Sequence, residues 1–238
     1  MVVDTLGGDA STGFDLNGDG EVDNRFGNLF GIAGDMLQRS LEQGDVIMLL
    51  ELARRYDWRD AEGVVVNAYY GQVAGGAAFD PWRDLGGQGV FDVLAGSFDE
   101  EGDPLVSFSG GRIVDGWLQT GPTTLLLAIP LTGLDQPLLL PVERARISGG
   151  LVGEGRELLE IHTGILGGAV RKTELDAAVA TAREQPGLDP MLGSMLSQFG
   201  IFLGQPDVDL DREVAGNDAY SIGLGFSAVH AQLGDIVW

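Results

Sequence analysis

Thr123-Thr124-Leu125-Leu126-Leu127-Ala128-Ile129-Pro130-Leu131, followed by Leu138-Leu139-Leu140-Pro141-Val142-Glu143-Arg144-Ala145-Arg146-Ile147, decides the fold class. Each run has the length of a strand, is rich in aliphatic residues and is interrupted by a proline, so neither reads as a long helix or a bilayer span. Gly133–Pro137 between them supplies turn residues. Two apolar runs joined by a short turn suggest an antiparallel pair, and their nearly unbroken apolar character suggests central strands buried on both faces.

The same rhythm extends in both directions. Upstream lie Leu105–Ser109 and Arg112–Gln119, separated by Gly110-Gly111; downstream, Ser148–Gly150 precedes Glu157–Thr163. Val46–Leu52 and Gly63–Val73 read as earlier strands, Tyr220–Phe226 and Val229–Val237 as closing ones. Three-residue and four-residue spacing of Leu29, Phe30, Leu37 and Leu41 predicts a helix over Asn28–Gln43, stopped by Gly44. Two more helices are predicted, over Lys172–Glu184 and from Pro190 through Phe199, the second with Asp189 as N-cap. The expected fold is mainly β with a few helices. It is an antiparallel β-sandwich or barrel with an N-terminal helix and a C-terminal helical pair before the last strands. One domain covers 1–238: a loop segment at 1–27, the helix at 28–43, a β-rich core at 45–170, the helical pair at 171–204, and an acidic loop with closing strands at 205–238.

Composition narrows the chemistry. Among 238 residues, 36 acids face 14 bases for a net charge of −22, and Lys172 is the single lysine. That field repels phosphate backbones and anionic bilayers, so no nucleic-acid partner is expected. It also makes the folded chain repel itself, which bound divalent cations would relieve. Without cysteine, disulfides and thiolate chemistry are excluded. The two histidines, His162 and His230, sit in strand-like contexts, and neither a Gly-x-Ser-x-Gly elbow nor an HExxH pair accompanies them. Carboxylates such as Glu157 and Glu160 could serve a hydrolase, but sequence spacing does not give their separation. Trp58, Tyr69, Tyr70, Trp82 and Trp117 offer rings for stacking on sugars, against core packing as the plainer alternative. No membrane span is expected. Met1 leads into Val2-Val3-Asp4 without a basic and apolar leader, so no export signal is read from Met1 onward.

The strongest constellation is Asp15-Leu16-Asn17-Gly18-Asp19-Gly20-Glu21-Val22-Asp23. Ca²⁺ takes six to eight oxygen ligands at about 2.3–2.6 Å. Asp15, Asn17 and Asp19 supply short oxygen-bearing side chains at alternating positions, Gly20 permits the sharp turn, Glu21 would offer its carbonyl, and Asp23 would close the shell. A second candidate is Asp207, Asp209, Asp211 and Glu213 with Asp218. There Arg212 stands where the glycine would be, and a solvated acidic loop is the competing reading.

The first loop resembles the DxDxDG loops of dockerins, thrombospondin type 3 repeats and EF-hands. It departs from the EF-hand where Phe26 replaces the final bidentate acid. With Asn24–Gly27, Asp207–Asp211 and Ser221–Phe226, the chain also resembles secreted or lipid-anchored bacterial envelope proteins of unassigned function. What that resemblance implies is Ca²⁺ as cofactor, a secreted or cell-envelope location, and a structural or ligand-binding role rather than catalysis. The partner would be a glycan or another envelope protein. The alternatives are a carbohydrate-binding module and a carboxylate-dependent hydrolase.

Overall fold

The computed structural model describes residues 1–54, 57–129, 136–154, 157–186, 188, 190–211 and 216–237; side chains at 31–33, 36, 191, 192 and 195 are not described. The sequence readings that fall on Pro130, Leu131, residues 133–135, Asp189, Arg212 and Glu213 lie outside these residues.

The described chain is mainly β, with ten strands in one mixed sheet. In chain order these are β1 (Val2–Gly7), β2 (Met48–Leu52), β3 (Ala61–Val73), β4 (Gly89–Leu94), β5 (Val106–Val114), β6 (Trp117–Ile129), β7 (Leu138–Glu154), β8 (Glu157–Arg171), β9 (Ala219–Val229) and β10 (Ala231–Val237). The helices are α1 (Gly27–Gln43), α2 (Pro81–Arg83), α3 (Lys172–Arg183), α4 (Pro190–Ser197) and α5 (Phe199–Leu203). Antiparallel pairings run β3–β2–β1–β9–β8–β7–β6–β5, and β5 pairs again with β3. The far end of β3 departs to pair with β4, on which β10 lies parallel. The expectation of purely antiparallel pairing is corrected by that last ladder. The connection from β9 to β10 reverses nothing; the chain continues onto a different neighbour.

Alternation explains which faces are buried. Leu125, Leu127 and Ile129 of β6 meet Val142, Leu140 and Leu138 of β7 in register, all at most 5 % exposed. Their neighbours Leu126 and Leu139 are 46 % and 47 % exposed. The expectation that this pair is buried on both faces is therefore wrong. β9 is covered on both faces: its Ser221 and Ile222 are both buried, with the N-terminal loop lying across the Ser221 side.

Glycine misled the reading of strand ends. Residues 149–150 and 110–111 do not form turns but lie inside β7 and β5. A Cβ on Gly149 would meet the Ile161 side chain at 2.8 Å and one on Gly168 would meet the Glu143 carbonyl at 2.5 Å. These glycines let neighbouring strands pass closely at register shifts.

Two strands were missed outright. β1 lies within residues expected to be loop, and β4 falls between Gly63–Val73 and Leu105–Ser109, where no strand is expected. β1 pairs with β2 only at Val2 and Leu49, then parts from it. There α1 fills the gap: the Gln38 amide accepts from Leu6 N at 3.0 Å and donates to the Asp4 carbonyl at 3.3 Å. A side chain thus satisfies backbone groups that an edge would leave unpaired. Phe30, Leu37 and Leu41 carry α1 into the main core, and Gly44, at φ 74°, ends it where expected.

Candidate functional site

The segment between β1 and α1 folds as a ladder of side-chain-capped turns. Asp15 accepts from Gly18 N at 2.5 Å and from Gly20 N at 3.0 Å. Asn17 accepts from Asp19 N at 2.9 Å, and Asp19 from Glu21 N at 2.8 Å. Asn17 and Asp19 each reach a backbone N–H two residues on, and Asp15 reaches those three and five residues on, which curls the chain. Gly18 and Gly20, at φ 84° and 90°, provide the left-handed residues such a curl requires. Asp15, Asn17, Asp19 and Glu21 are exposed.

Asp23 is 9 % exposed and closes the base. Its carboxylate accepts from Leu16 N at 2.8 Å, Asn17 N at 3.1 Å and Asn17 Nδ2 at 3.0 Å. Burial raises the Asp23 carboxyl above the usual carboxylate range, and the nearby charges of Asp207 and Asp19 add to that; the N–H groups of Leu16 and Asn17 pull the other way. Among the described residues no three His, Asp or Glu side chains converge on one point as they stand. The donor chemistry of the loop is all oxygen and suits a hard cation, but its carboxylates now face N–H groups.

Sequence reasoning missed Asn24. It is 7 % exposed, donates to the Asp9, Thr12 and Gly223 carbonyls at 2.8, 2.6 and 2.8 Å, and accepts from Gly223 N at 3.0 Å. One amide thus pins the N-terminal loop onto β9. Gly223 is needed there, since a Cβ would collide with the Thr12 carbonyl.

The second acidic segment comes to the same place. Leu16 of the first loop and Leu210 of the second pack against Ala169, Val208 and Ala219. Arg25 Nε lies 3.5 Å from Asp207, whose carboxylate accepts from Ser221 N and Oγ at 2.9 and 2.5 Å. Asp218 accepts from Leu210 N at 2.7 Å and from Arg171 Nη1 at 2.6 Å, and Arg171 Nε bonds Glu143 at 2.6 Å. In this loop the acids are answered by guanidinium groups. Asp209 is exposed, and Asp211 contributes to the field that raises the Arg171 pKa, behind the Glu143 bond.

Comparison with protein-family models, curated proteins and solved structures finds no match.

The aromatic candidates separate. Tyr69 is buried with its hydroxyl on Glu51 at 2.6 Å, and burial raises its pKa above the ordinary phenol range. Trp117 is 39 % exposed and donates Nε1 to Ser148 Oγ at 2.8 Å. Trp82 is 92 % exposed. It sits on α2, whose N-cap Asp80 accepts from Trp82 N at 3.1 Å, with Pro81 at the first helical position. The fully buried Asp84 holds Arg83 through two bonds of 2.6 and 2.7 Å, which fixes that turn. Glu157 stands opposite Glu154 across β7–β8, and Glu160 opposite Val152.

Proposed function

We propose that the chain is a calcium-stabilised domain of the cell envelope or the secreted space, with a structural or ligand-binding role. One Ca²⁺ is taken by Asp15, Asn17, Asp19, the Glu21 carbonyl and Asp23. The observation that carries this reading is the run of Asx-capped turns at Asp15, Asn17 and Asp19 with left-handed Gly18 and Gly20, which brings alternating oxygen donors onto one short loop. Apart from Asp23 Oδ2, which accepts from both Leu16 N and Asn17 N, each bonded side-chain oxygen of the loop accepts once and keeps a second lone pair for a cation. Sites of this class in extracellular modules bind at about 10⁻⁴–10⁻³ M, which matches calcium outside the cytosol. The second loop is the weaker candidate, because Arg171 and Arg25 already neutralise Asp218 and Asp207.

The sheet reads as a closed eight-stranded barrel with β4 and β10 as an outer flap. The pairing of β3 with both β2 and β5 supports this. A barrel leaves few exposed edges, so the domain stands as a rigid scaffold. Chelation tests the metal: EDTA lowers the melting temperature and excess Ca²⁺ restores it, whereas identical melts under both conditions remove calcium from the account.

A glycan-binding role is the second reading, carried by the exposure of Trp82 on its braced turn. Glycan-array signal lost on Trp82→Ala supports it; a blank array with the unmodified chain ends it.

A further inference from the structure

A cleft of about 380 Å³ is lined by residues of β2, β3, β6 and β7 and of the segments that flank them. Its size falls within the roughly 300–1,000 Å³ of small-molecule sites and is more than twice the about 150 Å³ that holds a benzene. Leu105, Leu126 and Leu139 all line it while standing 56 %, 46 % and 47 % exposed, so large apolar side chains left in water gather round one concavity. Scattered exposed leucines need no explanation, but a convergent set around a pocket marks a binding surface.

The polar groups of the floor are already spent. Tyr70 Oη donates to the Leu126 carbonyl at 3.0 Å and accepts from Ala128 N at 2.8 Å. Ser97 Oγ accepts from Tyr70 N at 3.0 Å and donates to the Tyr70 carbonyl at 3.4 Å. An occupant therefore gains from apolar contact and has few hydrogen bonds to replace. Charge selects further. Among the described residues the single charged group of the lining is Asp45, which is exposed and solvated, and the whole chain carries −22. An anionic head group would be repelled, while a solvated surface carboxylate draws a cation only weakly.

We propose that this cleft binds an uncharged small molecule with an apolar body, such as a fused-ring compound or a neutral acyl chain. It shares no residue with either acidic loop, so it stands or falls separately from the calcium reading.

Two fluorescent probes with one skeleton test it on the full chain: neutral N-phenyl-1-naphthylamine and 1-anilinonaphthalene-8-sulfonate, which adds a sulfonate. The expected result is saturable binding of one neutral probe per chain, with the sulfonate at least tenfold weaker. Ala128→Trp, which fills the cleft, should weaken the neutral probe more than tenfold. Ile201→Ser, an exposed apolar site outside the lining, should leave it unchanged. If thermal melts show that Ala128→Trp does not fold, Leu139→Asp replaces it, since that exposed position accepts a charge, and at least a fivefold loss is expected. Equal or tighter binding of the sulfonate, a signal that never saturates, or full affinity in the folded cleft variant would overturn the proposal. So would a concentration-dependent dimer that the neutral probe dissociates, which would give the cleft to a second copy of the chain.

Discussion

The two acidic loops look alike in sequence and solve their charge differently. Around Asp15–Asp23 the carboxylates are answered by backbone N–H groups of the same loop, through Gly18, Gly20, Glu21, Leu16 and Asn17. Around Asp207–Asp218 they are answered by Arg171, Arg25 and Ser221. An N–H group is a partial charge and leaves the loop net negative; a guanidinium cancels a full one. A run of alternating acids is therefore an invitation to a cation, and the fold decides whether that cation is already built in.

Breaking the anchor of the first loop should have the largest effect. Asn24→Ala removes four hydrogen bonds at a buried amide and leaves the Thr12 and Gly223 backbone groups without their partner. The expected destabilisation is about 2–4 kcal/mol in a denaturant titration, with calcium sensitivity lost as the loop detaches. A loss within about 0.5 kcal/mol would show that the loop is held by something other than this amide.

Removing the cation of the second loop comes next. Arg171→Ala leaves Glu143 and Asp218 without the positive charge they share. Because Arg171 is partly solvated, the expected cost is about 1–2 kcal/mol. The variant sharpens the contrast: its melting temperature should rise more steeply with Ca²⁺ than that of the unmodified chain, because the second loop then lacks its own counter-charge. Parallel calcium responses in the two chains would mean that Arg171 does not stand in for a metal.

How much of this was legible follows from the range of each interaction. The capped turns of the first loop are local: every donor lies within a few residues of its acceptor, so the pattern of Asp15, Asn17, Asp19 and the glycines shows in the sequence. The helix over α1 was readable for the same reason, from its apolar spacing and Gly44. Asn24 was not readable, because its partners Thr12 and Gly223 are joined only by folding. Nor could the sequence say that Asp218 and Glu143, the latter on β7, would share Arg171 of β8. The errors at residues 110–111 and 149–150 have one cause. A glycine that permits a turn and a glycine that permits two strands to touch look the same until the neighbouring strand is known. β1 was missed because only Val2, Val3 and Leu6 mark it, too short a pattern against the glycine-rich and Asx-rich residues that follow.

Calcium itself should contribute least to total stability, about 1.4 kcal/mol at a concentration ten times the dissociation constant. Its stoichiometry nevertheless addresses the contrast most directly. In a calorimetric titration of the intact chain with Ca²⁺, one site per chain is expected, abolished by Asp15→Ala with Asp19→Ala and retained in Asp209→Ala with Asp211→Ala. No heat at millimolar Ca²⁺, or a site that survives the first pair of substitutions and disappears with the second, would contradict the assignment of the metal to the loop between β1 and α1.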